Sequence, residues 1–354
     1  MSKHALDLAR LAVACCALLL LTMAAPASAR TVTDSAGRQV EIPAKVNRVF
    51  AAGPPAAILM YILAPDKMTG WPRAPHAYER PYIAEQYRDL PETGRLTGRG
   101  NTVNLERLLE ARPDLIIDFG SVNDTYKSLA DTVQAQTGIP YILIDGRFEN
   151  TPAALRLVAE AIGVTERGDE LAAYVEELFA EIDKGLAGID DKDRPRVYMA
   201  RGPNGLETGL KGSINTEIIE RAGGINVADP GDASTRRGIV NVSPEQVIVA
   251  NPDTIVTWDR TFFEAVWSDP LWANIDAVKH QRVYLAPSAP FGWIDRPPSV
   301  NRIIGLRWLP GLFFPARFQP DIREETRRFY KLFYHVDLDD AALDRLIEWS
   351  NGKP

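Results

Sequence analysis

Cysteine is almost missing from this chain: the only two, Cys15 and Cys16, sit side by side near the N-terminus. The remaining sequence therefore cannot form a disulfide or use a thiolate, and its stability must come from burying a core. Histidine is scarce as well, and His76, His280 and His335 lie too far apart to give the paired spacing of a zinc site. His280, in a charged turn before a strand, reads as solvated. There is no basic excess, since the formal net charge is −7 and the pI about 5.3, so the electrostatic footprint of a nucleic-acid partner is missing and none is expected. No phosphate loop ending in Gly-Lys-Ser/Thr, no Gly-x-Ser-x-Gly elbow and no dinucleotide glycine pattern follows a strand. These gaps argue against catalysis and against a resident cofactor, leaving an exported enzyme with a site of scattered residues, or a surface adhesion protein, as the competing classes.

What is present is the composition of an ordinary globular protein, 45% hydrophobic and 25% charged over 354 residues, long enough for two domains. Residues 1–29 read as a signal peptide: Lys3 and Arg10 supply the positive region, Leu11 to Met23 the apolar one, and Ala27-Ser28-Ala29 a small-residue cleavage site. The apolar run is shorter than the roughly 20 residues of a membrane span. A mature periplasmic chain starting at Arg30 would carry no cysteine. Lipid attachment at Cys15 or Cys16 is the lesser alternative.

Two stretches match position by position. One is Asn104-Leu105-Glu106-Arg107-Leu108-Leu109-Glu110-Ala111-Arg112-Pro113-Asp114-Leu115-Ile116-Ile117. The other is Ser243-Pro244-Glu245-Gln246-Val247-Ile248-Val249-Ala250-Asn251-Pro252-Asp253-Thr254-Ile255-Val256. Each opens on a helix-capping residue, with Pro244 suited to the first helical position and Gln246 completing a capping box with Ser243. Each then places a glutamate two positions on, stops at Pro-Asp and enters an apolar strand. A short helix feeding a buried strand, once in each half, implies two similar lobes.

Read in order, the chain predicts a hairpin around Ser35-Ala36-Gly37, a buried strand Arg48–Ala52 ending at Gly53-Pro54-Pro55, and a helix to Leu63. A short strand Met68–Trp71, a loop rich in aromatic and charged residues, the first copied unit, a helix from Asp124 and a strand Tyr141–Ile144 follow. The fold class is α/β, with an N-terminal lobe over 30–150, a helical connection over 151–190 and a C-terminal lobe over 191–354. Each lobe is expected to hold a mainly parallel sheet flanked by helices. The connection shows apolar residues at helical spacing, interrupted at Gly163-Val164-Thr165.

With Thr31-Val32-Thr33-Asp34-Ser35-Ala36-Gly37-Arg38, Asn47-Arg48-Val49, Leu105-Glu106 with Pro113-Asp114, Ala222-Gly223-Gly224-Ile225-Asn226-Val227, Ser243-Pro244-Glu245 and Phe329-Tyr330-Lys331-Leu332-Phe333-Tyr334 in this order, the chain resembles the periplasmic substrate-binding proteins of ABC importers for iron-siderophore complexes and vitamin B12. The resemblance implies two lobes joined by a long rigid helix, a ligand in the cleft between them, and an inner-membrane ABC permease as partner. It further implies that Glu106 and Glu245, one per lobe, meet arginines of that permease. Complementing the helix dipole is the plainer role for either one. Family members often carry Thr-Glu at the start of the first helix, where this chain has Ala56-Ala57.

Ligand contacts are expected at strand ends: Gly53, Pro54, Trp71, Tyr78, Arg80, Gly120, Asn123, Arg201, Trp258, Arg260, Trp293 and Arg296. Aromatic faces and arginine forks suit a flat, anionic ferric chelate, and Arg201 directly follows the strand that opens the second lobe. A corrinoid, haem or nickel chelate is the runner-up. His76 or Tyr78 is a possible ligand to an incompletely coordinated metal; otherwise no direct metal ligand is expected. The protein is expected to act as a monomer.

Overall fold

Alternating apolar and polar residues after Ala29 fold as the expected hairpin. Strand β1 (Ala29–Thr33) pairs antiparallel with β2 (Gln39–Pro43), and Val32, Val40 and Ile42 face the core while their neighbours stay out of it. The turn is held by Asp34. Its buried carboxylate accepts from the N–H groups of Ala36 and Arg38, from the Arg38 guanidinium and from the Leu143 N–H, so the hairpin is pinned to the first lobe. The protein is described by a computed structural model that covers residues 29–98, 105–229 and 238–348. The leader up to Ser28, and the cap Asn104, lie outside the described residues.

The first lobe runs β3 (Val49–Ala51), α1 (Pro54–Leu63), α2 (Leu105–Ala111), β4 (Leu115–Gly120), α3 (Asp124–Thr137) and β5 (Tyr141–Asp145). Its three strands are parallel in the order β3-β4-β5, and β4 is buried until its last residue, as a strand covered on both faces must be. The expected strand over Met68–Trp71 is not one. Met68 bridges Val49 and Trp71 bridges Glu92 singly, and the N–H of Trp71 goes to the carbonyl of Pro91 in a facing loop. That loop comes so close to Gly70 that a Cβ there would lie 2.1 Å from the Pro91 oxygen, which leaves no room for a continuing strand partner.

The connection is two helices, α4 (Thr151–Ile162) and α5 (Thr165–Leu186). The second has 22 residues and is thus about 33 Å long. They pack closely: a Cβ on Gly168 would sit 2.2 Å from that of Ala159. Arg30 donates to the carbonyls of Glu160 and Ala161 at the end of α4, placing a cation at a helix C-terminus.

The second lobe contains β6 (Arg196–Ala200), β7 (Glu207–Gly209), α6 (Glu217–Arg221), β8 (Ile225–Asn226), β9 (Ile239–Asn241), α7 (Pro244–Ala250), β10 (Thr254–Thr257), α8 (Arg260–Ala265), α9 (Asp276–Lys279) and β11 (Val283–Leu285). The main sheet is parallel in the order β11-β10-β6-β8, while β7 and β9 form a small antiparallel pair. Helices α10 (Arg302–Phe313), α11 (Ile322–Tyr334) and α12 (Asp340–Ile347) finish the described chain.

The internal copy extends to individual hydrogen bonds. In the first lobe Asp114 accepts from the N–H of Arg48, and the Arg48 side chain donates to the carbonyl of Ala111. In the second lobe Asp253 accepts from the N–H of Arg196, and Arg196 donates to the carbonyl of Ala250. Arg112 and Asn251, between helix and Pro-Asp in each copy, both have positive φ, at 44° and 35°. The capping box of Ser243 and Gln246 is formed in full.

Two features tie the lobes together. The last two helices, assigned by sequence to the second lobe, lie against the first: the Tyr61 hydroxyl donates to the carbonyl of Tyr334, and the Tyr82 hydroxyl to that of Ala342. One continuous hydrophobic core therefore spans α1, α4, α5, α10 and α11. Arg302, fully buried, donates to the carbonyls of Gly146 at the end of the first sheet (2.9 Å), Ile214 of the second lobe (2.6 Å) and Ser299 (3.1 Å). Glu217, 3.6 Å from Arg302, accepts from the N–H of Phe148.

Candidate functional site

A cavity of about 600 Å³ opens beyond the carboxyl ends of β10 and β11, where parallel α/β sheets bind ligands. Trp258, Asp259 and Arg260 continue directly from β10, and Leu285 to Ala289 from β11. Tyr78, Pro81 and Tyr82 come from the loop of the first lobe, Arg296 from the loop after Trp293, and Arg345 and Leu346 from α12. Both lobes and the terminal helix contribute walls.

Its charge is positive. Asp259 is occupied as the N-cap of α8, accepting from the N–H of Phe262, and Arg260 pairs with Glu264 at 2.7 Å. Arg296 and Arg345 form no ion pair with a described residue. Arg296 lies over the Trp258 ring, 4.4 Å from its centroid, a cation–π contact that keeps the guanidinium edges available. Its backbone has φ +70°, an unusual conformation for a side-chain-bearing residue and of the kind that concentrates at ligand sites. The indole N–H of Trp258 is buried without a partner among the described residues. Burial pushes the Tyr78 phenol up, reinforced by the Glu79 carboxylate; burial also raises Tyr82, against the opposing pull of Arg345. Both hydroxyls therefore stay protonated donors at neutral pH.

Of the residues expected from sequence, Tyr78, Trp258, Arg260 and Arg296 come together here. Arg201 does not line the cavity but lies 5.5 Å from the Trp258 ring, with its charge met by Glu207 and by the buried Asp295. Those two carboxylates hold it against Trp258, outside the cavity lining. Trp71 and Trp293 do not reach the cavity: they are 4% and 0% exposed, and their N–H groups donate to the Tyr87 carbonyl and the Tyr330 hydroxyl. They fill the aromatic core between α1 and the terminal helices, Trp71 against Tyr61 and Phe291, Trp293 against Trp308. Arg80 pairs with Asp89 and borders a separate depression beside Arg88 and Asp339. Gly53 caps α1 with Thr97 packed where a Cβ would be, Pro54 begins that helix, and Asn123 caps α3 by accepting from the N–H of Thr125 and Tyr126. These positions and Gly120 lie at the first sheet's strand ends and do not line the cavity. Ala56 and Ala57 are buried in the first turns of α1.

His76 is exposed and stacks on Tyr78, 5.7 Å between ring centres, with its backbone N–H on Glu79. Burial pushes the Glu79 carboxyl up, but the Arg73 fork and that N–H outweigh it and hold the group below the usual carboxylate range. Among the described residues no group of three or more histidine, cysteine, aspartate or glutamate side chains could hold a metal ion. The sequence reading missed Tyr82, Ser288 and Arg345. No local signal marks Arg345, which reaches the cavity only because α12 folds back onto the first lobe.

Glu106 and Glu245 stand exposed in the first turns of α2 and α7, one in each lobe. The backbone N–H of Glu245 and the Ser243 hydroxyl hold the Glu245 carboxyl below its usual range.

The profile of the family described as periplasmic binding protein matches residues 61–290, more than half of the chain. This chain belongs to that family. The binding protein is 29% identical to the molybdate-binding protein MolA of Haemophilus influenzae over 92% of its own length and 97% of the relative. It is 27% identical to the vitamin B12-binding protein of Salmonella typhi over 55% of its length and 71% of the relative. Among solved structures, an ABC transporter solute binding protein from Sulfurospirillum deleyianum superposes with a TM-score of 0.81 at 29% identity, covering 90% of this chain and 99% of that one. It is thus a substrate-binding protein of an ABC importer, with a membrane permease as its partner. No helix among the described residues is long and apolar enough to cross a membrane.

Proposed function

We propose that this binding protein captures an anionic metal chelate of the ferric catecholate or carboxylate class in the cavity and hands it to the permease. The observation that carries the reading is the pairing of unneutralised cations with aromatic side chains: Arg296 on Trp258, and Arg345 beside Tyr82. Arginine forks match the oxygens of such a ligand, and ring faces match its flat sides. Size supports the same reading. At 600 Å³ the cavity holds about twenty waters' worth of liquid volume at about 30 Å³ each, within the range of small-molecule sites and ample for an organic chelate. Glu106 and Glu245 would then meet cations of the permease, fixing register across the cleft. Export through a leader removed after Ala29 is part of the same reading.

A second reading is a bare oxyanion such as molybdate, favoured by the near full-length similarity to MolA. Titration followed by tryptophan fluorescence separates the two, with ferric tris-catecholate and sodium molybdate as probes. Saturable one-to-one binding of the ferric complex, with molybdate inert, is the expected result. Tight binding of molybdate alone replaces the first reading with the second, and release of a chemically altered ligand contradicts a pure binding role.

A further inference from the structure

Only four large hydrophobic side chains stand well exposed among the described residues, and three of them lie on the two copied helices: Leu109 on α2, Ile248 and Val249 on α7. Leu109 and Ile248 occupy the same position of the copied unit, and each is about half exposed, at 49% and 47%. Each follows its glutamate by three residues, so Glu106 and Leu109, and likewise Glu245 and Ile248, are surface neighbours on one helical face. An exposed leucine or isoleucine at matched places in two lobes has no use for either lobe's own core, which α2 and α7 serve through Leu108 and Val247.

Resting on the docking reading of the two glutamates, we propose that Leu109 and Ile248 are the apolar halves of the permease-docking surface. The occupant is a membrane permease with two equivalent halves, each presenting a cation beside an apolar hollow. The copied geometry argues for this partner: one carboxylate and one apolar side chain per lobe, on helices held by matching Asp114–Arg48 and Asp253–Arg196 contacts. A lipid headgroup layer, whose phosphates are negative, would repel the two carboxylates and would have no need of two separate, matched pairs. Apolar groups desolvated beside the charges supply affinity, while the charges supply partner choice and association rate.

The test measures association of the full binding protein with its cognate permease–ATPase in nanodiscs, for Leu109→Ser, Ile248→Ser, their combination, and the double glutamate variant Glu106→Ala/Glu245→Ala. Half of each side chain remains to be buried, so each serine variant is expected to weaken association by about fivefold. The combination should lose about twenty-five-fold, since sites on separate lobes add. Ligand binding and melting temperature, which a general folding defect would lower, should stay at the native level. Serine variants that associate normally while the glutamate variant is impaired overturn this proposal and leave the docking reading standing. Normal association by all the variants overturns both. Sedimentation covers the other occupant: a self-associated form lost in the serine variants, with permease association intact, would assign the face to a second copy and refute the proposal.

Discussion

Replacing Arg302 by methionine should loosen the joint between the lobes. The guanidinium is fully buried and donates to the carbonyls of Gly146, Ile214 and Ser299 while lying over the Phe148 ring, 4.8 Å from its centroid. Hydrogen bonds from a charged donor contribute about 1.5–3 kcal/mol each, so losing three costs on the order of 6 kcal/mol. Burying the charge opposes this: burial drags the Arg302 pKa down from the ordinary guanidinium range to about 10, a penalty of about 3 kcal/mol at about 1.4 kcal/mol per tenfold, which methionine would relieve. The net loss is about 3 kcal/mol, in the range seen when one partner of a buried charge cluster is removed. Urea unfolding followed by tryptophan fluorescence and by circular dichroism measures it. Adding Glu217→Gln should recover about 1 kcal/mol, because Glu217 is 3.6 Å from Arg302 and loses its cation in the single variant. A single-variant loss below about 1 kcal/mol, or strict additivity in the double variant, would refute the reasoning.

Other expectations concern the first sheet, the cavity and the docking face. Burial raises the Asp118 carboxyl from 3.8 to about 6, only partly offset by the hydroxyls of Thr97 and Tyr141. The folded protein therefore holds that proton more tightly than the unfolded chain does, and the resulting stability is full below about pH 4 and lost as pH rises through about 6. Asp118→Asn should match the native chain near pH 4 and exceed it by up to about 3 kcal/mol at pH 7; denaturant melts showing a difference independent of pH would contradict this. Arg296→Ala should weaken ferric tris-catecholate binding by about tenfold to a hundredfold, measured by fluorescence titration, with thermal stability little changed because the side chain is exposed. Glu106→Ala/Glu245→Ala should abolish uptake in a vesicle transport assay while ligand affinity holds, and collapse of affinity would remove the docking role.

Much of the architecture is legible in sequence because it is local. Buried strands such as Leu115–Gly120 read as apolar runs bounded by Pro-Asp and glycine, and the capping box at Ser243 is written in four residues. Strands of two or three residues such as β7, β8 and β9 leave no periodicity to read. The site is only half legible, for a different reason. Trp71, Trp258 and Trp293 are the same residue type in similar surroundings, and only packing against Tyr61, Tyr330 and Trp308 decides that the first and third are core. Arg201 follows its strand as expected, but Asp295, far away in sequence, neutralises it. Arg345 and Tyr82 meet across the terminal helix, a contact set by tertiary structure alone.

Native mass spectrometry of the binding protein purified from its source, with ligand retained, tests the central claim most directly. The account predicts a one-to-one complex whose added mass resolves into iron and an anionic organic chelator, lost in Arg296→Ala. A retained mass equal to a bare oxyanion, or to a neutral metal-free solute, would contradict it.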